Sequence, residues 1–354
     1  MTQSFDVLVA GGGPAGAAAA LDLSRRGFRV ALIEQGTYEA PRIGETLPPI
    51  IRQQLTELGV WERFLDCRPM ESYGIQIAWE TATPRYQDFL RNPYGCGWHV
   101  DRARFDSTLA SAAVEAGAEL VALARVISCR QKANGEWLVD AAQGETTLTL
   151  AGRMLLDATG RKALLAAQLG SHAHVTDRLV GAVAFSDGSE TAQETMIEAV
   201  EHGWWYSAPI PGARMVFTYM TDSDLWRDSG WGKLVKRAPL TSERAGSQPI
   251  PPPLQVVSAA SVVRCPVTGP EWMAIGDAAL AYDPLSGQGV LKSIETGMRS
   301  SAAVARYLGG DSAALVEYET WIHETYQSYL IQRRQLYGSV LRWPKSQFWK
   351  RRSS

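Results

Sequence analysis

Hydrophobic and polar positions near the amino terminus predict a β-α-β unit. Phe5–Ala10 is a short apolar run of strand length, and alanine-rich Ala15–Arg26 has the composition of a helix. Gly27 stands where helices commonly end, and the apolar run within Arg29–Glu34 predicts a second strand. The chain therefore begins with a strand, a glycine-rich turn, a helix and a second strand.

The pattern changes to that of β-hairpins after residue 118. Leu120–Arg130, Glu136–Ala142 and Thr146–Leu150 have strand-like composition and are separated by Asn-Gly and Gln-Gly, which are common turn dipeptides. Leu155–Asp157 is predicted to be a separate strand that returns to the first sheet. A sheet that begins as β-α-β is thus interrupted by an antiparallel meander.

Strand patterns resume from about 175 to 265, and helical spacing dominates 288–343. A short strand at Trp272–Ile275 is predicted to rejoin the first sheet. These patterns predict a discontinuous nucleotide-binding domain (1–170 and 266–310), an inserted β-rich substrate domain (171–265) and a C-terminal helical cap (311–354). The fold class is therefore α/β.

Composition limits the class of protein. The 354 residues are 45% hydrophobic and 20% charged, with a net charge of −2, which is typical of a globular protein. The chain lacks a run of 18 apolar residues, so we expect no membrane span. Its four cysteines have no CxxC pair and no zinc-binding spacing, which favours free thiols in the cytoplasm.

The first turn carries a dinucleotide-binding motif. Gly11–Gly16 fits G-x-G-x-x-G between a strand and a helix. Gly11 allows the tight turn, Gly13 lets the backbone approach a pyrophosphate, and Gly16 lets helix and strand pack closely. Glu34 ends the second strand, where a carboxylate can accept hydrogen bonds from ribose hydroxyls and would repel the 2′-phosphate of NADP.

Four further segments have a characteristic order: Arg42–Thr46, Asp101–Asp106, Asp157–Gly160 and Gly276–Val290. With the glycine motif, they resemble the FAD-dependent monooxygenases built like p-hydroxybenzoate hydroxylase, over nearly the whole chain. The Gly-Glu-Thr segment and the Asp-Pro-Leu-Ser-Gly-Gln-Gly element resemble the tryptophan-halogenase and geranylgeranyl-reductase branch. The resemblance implies a Rossmann-type FAD-binding domain with an inserted antiparallel β substrate domain and C-terminal helices.

The resemblance also implies where FAD binds. Asp277 would bind the ribityl and phosphate region, Arg42–Thr46 would form a strap over the isoalloxazine, and the helix opened by Gly287–Gly289 would point its N-terminus at the flavin. The implied contacts are Gly11, Gly13, Pro14, Ala15, Gly16, Glu34, Gln35, Arg42, Gly44, Glu45, Thr46, Arg102, Val126, Asp157, Gly160, Gly276, Asp277, Pro284, Gly287, Gly289 and Val290.

Two differences separate this chain from the halogenases. Halogenases carry a catalytic lysine just ahead of a glycine, whereas Met70–Ile75 contains none. Their Trp-x-Trp-x-Ile-Pro element is degraded here to Trp204–Pro211. Without an amine to hold hypohalous acid, halogenation is not expected.

Two aromatic-rich segments narrow the resemblance. Asn92–His99 and Arg342–Arg352 resemble the maturation flavoproteins of tryptophylquinone-bearing lysine and glycine oxidases. We therefore predict hydroxylation of an electron-rich aromatic ring through a flavin C4a-hydroperoxide, with a small molecule or a partner protein's tryptophan as substrate. O2 is the co-substrate, and NAD(P)H or a separate flavin reductase supplies the electrons. The alternatives are an FAD-dependent reductase or dehydrogenase of a small hydrophobic metabolite, and an assembly factor with structural FAD.

The candidate catalytic residues each have a structural alternative. Their side chains could reach the flavin or the substrate: Glu45, His99, His202, Trp204, Tyr206 and Asp283. The histidines could instead be hydrogen-bonded structural groups, and Asp283 could cap its loop. On a strand, Trp204 and Tyr206 share one face and Trp205 lies on the other, so one face could roof the flavin pocket.

The carboxyl terminus is basic and aromatic. From Ile331 to Ser354 the chain carries seven basic residues and no acidic one. A long helix is predicted over 311–343, and the segment after it could cover the substrate entrance, dock a polypeptide or simply pack. The basic charge is too local for a nucleic-acid footprint.

Overall fold

The computed structural model describes residues 3–188, 193–226, 230–246 and 249–353. The predicted domain ranges also include 1, 2, 189–192, 227–229, 247, 248 and 354, which lie outside the described residues. Within the described residues the helices are α1 (Pro14–Arg25), α2 (Ile51–Glu57), α3 (Trp61–Asp66), α4 (Arg102–Glu115), α5 (Leu164–Gln168), α6 (Trp231–Lys236), α7 (Pro239–Ala245), α8 (Gly289–Leu308), α9 (Ala313–Gly338) and α10 (Gln347–Ser353). The strands are β1 (Gln3–Ala10), β2 (Val30–Ile33), β3 (Thr46–Leu47), β4 (Met70–Ser72), β5 (Gly74–Ala78), β6 (Arg85–Asp88), β7 (Gly97–His99), β8 (Glu119–Val121), β9 (Ala124–Gln131), β10 (Trp137–Gln143), β11 (Thr146–Asp157), β12 (His172–Val175), β13 (Leu179–Asp187), β14 (Thr195–Val200), β15 (Gly203–Ile210), β16 (Arg214–Asp222), β17 (Gln255–Ser258), β18 (Val262–Cys265), β19 (Thr268–Gly269), β20 (Trp272–Ala274) and β21 (Leu280–Ala281).

The first sheet has a Rossmann-type centre. Parallel strands lie in the order β20-β11-β1-β2-β8, and α1 connects β1 to β2. α1 packs against α4 and α8, with its alanines in the main hydrophobic core. The fold class predicted from the sequence is confirmed, because the β-α-β pattern is local and strongly marked.

Strand β11 joins the meander to the central sheet. Its first half pairs antiparallel with β10, and its second half pairs parallel with β1. The prediction of separate strands at 146–150 and 155–157 is therefore wrong. Gly152 lies at the junction, where a Cβ would stand 2.6 Å from Leu8 Cγ, so the absent side chain lets the strand run on against β1.

The second sheet has the strand order β17-β13-β16-β15-β14-β5-β6. Its pairings are antiparallel except that β14 pairs parallel with β5, so the predicted antiparallel sheet is mixed. Strands β5 and β6 come from residues 74–88, within the range predicted for the first domain. The division into domains stays a prediction, and we propose adding residues 74–88 to the second domain.

Helix α9 lies close to its predicted range. It begins at Ala313, whose N–H is 3.1 Å from Asp311 Oδ1, and ends at Gly338 rather than near residue 343. Its apolar stripe packs on the body: Leu315, Tyr318, Ile322 and Tyr326 are buried, and Leu330 is partly buried. The four cysteines are free thiols, also as predicted. Among the described residues, we find no helix with both the length and the hydropathy to cross a bilayer.

Candidate active site

Three predicted segments meet at the N-terminus of α1. A Cβ on Gly11 would lie 2.2 Å from the Ala158 carbonyl oxygen, and Gly11 has a φ of 109°. A Cβ on Gly276 would lie 2.6 Å from Ala15 Cβ. Only glycine permits these approaches, so the glycine motif, the Asp-Ala-Thr-Gly turn and the Gly-Asp segment converge here.

Gly13 differs from Gly11 because the space next to its Cα is open. It precedes α1 with an ordinary φ of −71°, and the helix start has no side-chain cap and no acidic residue in its first turn. A Cβ on Gly13 would meet no described atom within 4 Å. A helix N-terminus with this open approach fits a diphosphate, since its N–H groups and dipole favour an anion.

Gly13→Ala should therefore separate cofactor binding from folding. We expect at least about a tenfold loss of FAD affinity, a modest steric cost at a diphosphate contact worth about 1.4 kcal/mol. The melting temperature of the FAD-free protein should stay unchanged, whereas Gly11→Ala should lower it. Fluorescence titration with FAD and thermal unfolding measure both quantities. Equal FAD affinity in wild type and Gly13→Ala would contradict the placement.

Glu34 is buried, and backbone N–H groups from two turns orient its carboxylate. Its Oε2 accepts from the Gly12 N–H at 2.7 Å, and its Oε1 accepts from the Gly36 N–H at 2.8 Å. The Arg42 guanidinium lies 3.5 Å from Oε1. Oε2, with one donor among the described residues, keeps a further lone pair for a ribose hydroxyl. Val126 is buried nearby in β9, whose Ala124 N–H donates to the Glu34 carbonyl at 2.9 Å.

The predicted strap is held by two arginines that share one buried carboxylate. Arg102 donates to both Asp106 oxygens, at 3.1 and 3.2 Å, and to the Ile43 carbonyl. Arg42 donates to the same carboxylate at 2.9 Å. The Arg102 guanidinium thus binds protein groups and holds the strap in position. A Cβ on Gly44 would lie 3.8 Å from Val290, so the strap faces the start of α8.

Asp277, which is partly exposed, forms an ion pair with a buried lysine that the sequence did not indicate. Lys292 Nζ lies 2.6 Å from Asp277 Oδ1, and Arg161 Nε lies 3.5 Å from Oδ2. Burial alone would raise the Asp277 pKa, but the charges of Lys292 and Arg161 outweigh it and lower the pKa. Lys292 lies on the buried face of α8. No motif in the sequence marks this lysine as a partner of Asp277.

Two predicted aspartates shape their own loops. Asp157 accepts from the Thr159 N–H at 2.9 Å and from the Ala166 N–H at 2.8 Å. Asp283 accepts from the Leu285 N–H at 3.0 Å and from the Tyr337 hydroxyl at 2.7 Å. Asp283 therefore takes the capping alternative. These contacts fix the loops that carry Gly160, Pro284, Gly287 and Gly289, and Cβ atoms on these three glycines would enter open space.

A polar cluster lies behind the strap. The Thr46 hydroxyl is 2.7 Å from the Tyr206 hydroxyl, 3.1 Å from Thr195 Oγ1 and 3.1 Å from His99 Nδ1. His99 Nε2 is 3.3 Å from the Gln193 carbonyl, which only accepts, so Nε2 carries the proton and Nδ1 accepts from Thr46. Burial lowers the pKa of His99 to about 4, which keeps the ring neutral.

His99 should make folding acid-sensitive. The unfolded chain binds a proton at His99 below about pH 6.5, whereas the folded protein does so only near pH 4. Stability should therefore fall as the pH drops from 6.5 to 4, by up to roughly 3 kcal/mol from this group. Urea unfolding across this range should show a shallower dependence in His99→Gln than in wild type. The exposed control His202→Gln should keep the wild-type dependence, and equal dependence in all three would contradict the prediction.

Glu45 is a carboxyl group of the strap with one oxygen that makes no hydrogen bond to the described residues. It is buried, its Oε2 accepts from the Gly44 N–H at 3.0 Å, and its Oε1 has no hydrogen-bond partner among the described residues. Burial disfavours the charged form and raises the pKa of the Glu45 carboxyl. An apolar cluster from the second sheet packs against the strap's Ile43 and includes Val183, Ala208, Ile210 and Val216. The strap that carries Glu45 therefore also contacts an apolar wall, which limits the access of water.

The other candidate residues lie apart from this cluster. His202 is exposed in the turn between β14 and β15. Trp204 shares a sheet face with Tyr206, as predicted, but packs with Trp79 and donates to the Tyr337 hydroxyl at 3.0 Å. Trp205 packs on the opposite face, against α6. Gln35 is exposed beside Glu34.

Comparisons with known proteins agree with this geometry. Residues 4–330 match the family described as FAD binding domain. LodB of Marinomonas mediterranea, named as an FAD-dependent oxidoreductase, is 33% identical, with 99% of this chain and 97% of LodB covered. The myxobacterial halogenase CndH shares the fold at a TM-score of 0.90 and 21% identity, covering 99% of this chain and 86% of CndH. The peptidyl tryptophan dihydroxylase QhpG does so at 0.83 and 22%, covering 99% and 79%.

The family match spans most of the chain, and the LodB match spans nearly all of it. Both agree with the glycine turn, the oriented Glu34 and the strap that the fold brings together. The chain therefore belongs to the FAD binding domain family and is an FAD-dependent oxidoreductase.

Proposed function

We propose that this protein is a monooxygenase that hydroxylates an electron-rich aromatic ring, with a tryptophan of a partner polypeptide as the leading substrate. The observation that carries the proposal is Glu45, a buried carboxyl with a raised pKa whose Oε1 has no hydrogen-bond partner among the described residues, on a strap whose Ile43 packs against an apolar wall. The name of the structural neighbour QhpG, a peptidyl tryptophan dihydroxylase, supports the substrate class.

The residues present fit FAD. The open side of Gly13 would accept the diphosphate, Glu34 a ribose, Asp277 with Lys292 the ribityl region, and the strap with the start of α8 the isoalloxazine. When bound and reduced, FAD supplies the two electrons that let O2 transfer one oxygen atom to a ring. NAD(P)H or a flavin reductase is the proposed source of these electrons.

The protein's own groups would manage protons and water. One oxygen atom enters a ring C–H bond, and the other leaves as water after taking up two protons. We assign the donation of one of them to Glu45, whose pKa is raised by burial and whose Oε1 has no hydrogen-bond partner among the described residues. Tyr206, Thr46 and neutral His99 form a hydrogen-bonded row that fixes the strap and the adjoining wall. Val183, Ile210 and their neighbours keep bulk water away.

Halogenation is the less favoured outcome for this site. Where halogenases carry a lysine ahead of a glycine, this chain has Tyr73 before Gly74. The Tyr73 side chain is 43% exposed and hydrogen-bonds to Glu71. A neutral phenol at the surface does not supply the ammonium that would hold hypohalous acid.

The test is a turnover with isotopic oxygen. FAD-loaded protein, reduced by NADH and a flavin reductase, is mixed with tryptophan-containing polypeptides and ¹⁸O2 in the presence of bromide. We expect mass spectrometry to find ¹⁸O in a tryptophan side chain. Bromine incorporation would assign a halogenase, and reduced substrate without ¹⁸O would assign a reductase. Full FAD binding with neither product would favour the structural-flavin alternative.

A further inference from the structure

A cluster of metal-ligand side chains lies far from the strap, where α9 crosses the end of β18. Cys265 ends β18, and Glu319 and His323 lie one turn apart on α9. The Cys265 Sγ, a Glu319 carboxylate oxygen and a His323 ring nitrogen all lie within 4.8 Å of one another. His323 Nε2 is 3.7 Å from Glu319 Oε1.

We propose that these three side chains, joined by His172, bind one zinc ion. A thiolate, an imidazole and a carboxylate are the ligand types that zinc takes in tetrahedral sites. The thiolate sulfur disfavours magnesium and calcium, which prefer oxygen ligands. The spacing of four residues between Glu319 and His323 puts both on one face of the helix, as a shared ion requires.

His172 is the fourth ligand because of strand register. It lies directly opposite Cys265 in the antiparallel pair β12–β18. Side chains that oppose each other in such a pair project from the same face, with Cβ atoms about 5 Å apart. Since Cys265 faces α9, His172 does so too, and its side chain is exposed and able to turn toward the ion.

The carboxylate is already oriented by the protein. Glu319 Oε1 accepts from the Val267 N–H at 3.0 Å, and its Oε2 accepts from the Thr268 hydroxyl at 2.7 Å. Outer contacts of this kind fix ligand orientation in metal sites and contribute about 10- to 100-fold to affinity. Two of the four ligands are thus set by the helix, and one of these is held further by the loop after β18.

The ion would act as a structural clip. It would join α9 to β12 and β18 at the segment where the chain returns from the second sheet to the first. Binding would take the proton from the Cys265 thiol, so affinity should rise with pH. The sequence shows no zinc spacing because two ligands come from strands paired only in the fold.

The test titrates the FAD-loaded full chain with Co²⁺ and Zn²⁺. We expect one equivalent of Co²⁺ to give tetrahedral d–d bands at wavelengths longer than flavin absorption, displaced by Zn²⁺, and Zn²⁺ to raise the melting temperature. Cys265→Ser and His323→Gln should each weaken Zn²⁺ binding more than tenfold, and His172→Gln and Thr268→Val about tenfold.

Matched controls are Cys129→Ser and His202→Gln, which change the same residue types elsewhere and should leave the titration unchanged. Circular dichroism and FAD content show whether each variant is folded. Wild-type protein without tetrahedral bands, or bands that persist in Cys265→Ser, would overturn the proposal. Unchanged affinity in His172→Gln would overturn the fourth ligand.

Discussion

Asp222→Ala is expected to lower the free energy of unfolding by about 3–5 kcal/mol, the cost of leaving a buried charge without its partner. Asp222 accepts from Arg352, and both side chains are 1% exposed. Its other oxygen lies 2.7 Å from Arg351 Nη1. Removing the carboxylate leaves the buried Arg352 guanidinium of α10 without its charged partner, and water has little access to replace the lost contact.

The control is Asp224→Ala, two residues along the chain. Asp224 is 38% exposed and pairs with Arg351, which is 37% exposed, so its loss should cost less than about 1 kcal/mol. Urea unfolding of FAD-loaded protein near neutral pH measures both variants. Similar losses in the two variants would show that burial does not set the strength of the Arg352 pair.

This ion pair also bears on the three readings of the basic tail. Phe348, Trp349 and Arg352 of α10 are buried, and Trp349 Nε1 donates to the Val200 carbonyl at 3.0 Å. Trp343 stacks on Trp349 with ring centroids 5.8 Å apart. The aromatic and basic residues that suggested a docking arm are largely engaged with the second sheet. Packing is therefore the reading that these contacts favour.

Elements with a local sequence pattern could be predicted, whereas the pairing of strands distant in sequence could not. The β-α-β start was readable because a strand, a glycine turn and an alanine-rich helix each have a local signature. Pairing of β5 with β14 joins residues 74–78 to 195–200, and no pattern in either segment specifies that neighbour. The continuity of β11 depends on Gly152 fitting against Leu8, a contact that becomes visible only when β1 is in place.

The candidate site shows the same division. Strap residues were found through sequence order, but their partners were not. Thr46 meets Tyr206 across 160 positions of the sequence, and Lys292 meets Asp277 only because α8 crosses the loop. Arg102 was predicted to lie against the cofactor, yet its hydrogen bonds go to Asp106 and to strap carbonyls. Residue type marks a chemical capacity, and tertiary contacts decide where it is used.

Glu45→Gln should lower the hydroxylation rate by at least about 100-fold while FAD remains bound, if Glu45 donates a proton in the reaction. Glutamine keeps the size and can donate hydrogen bonds from its amide N–H groups, but it has no acidic proton. The buried surroundings that raise the Glu45 pKa already favour its neutral form, so the neutral amide should be tolerated. The exposed carboxyl of Glu71, varied to Gln, is the matched control and should leave the rate unchanged.

The pH profile separates proton donation from a role in shape alone. Only the protonated Glu45 can donate, so the wild-type single-turnover rate should fall as the pH rises through its raised pKa. Glu45→Gln should be slow at every pH and show no such fall in rate, because the titrating group is gone. If the variant still shows the fall, another group is responsible for it. A variant that loses FAD together with activity would make Glu45 a binding residue, leaving the proton to come from the Tyr206–Thr46–His99 row or from water.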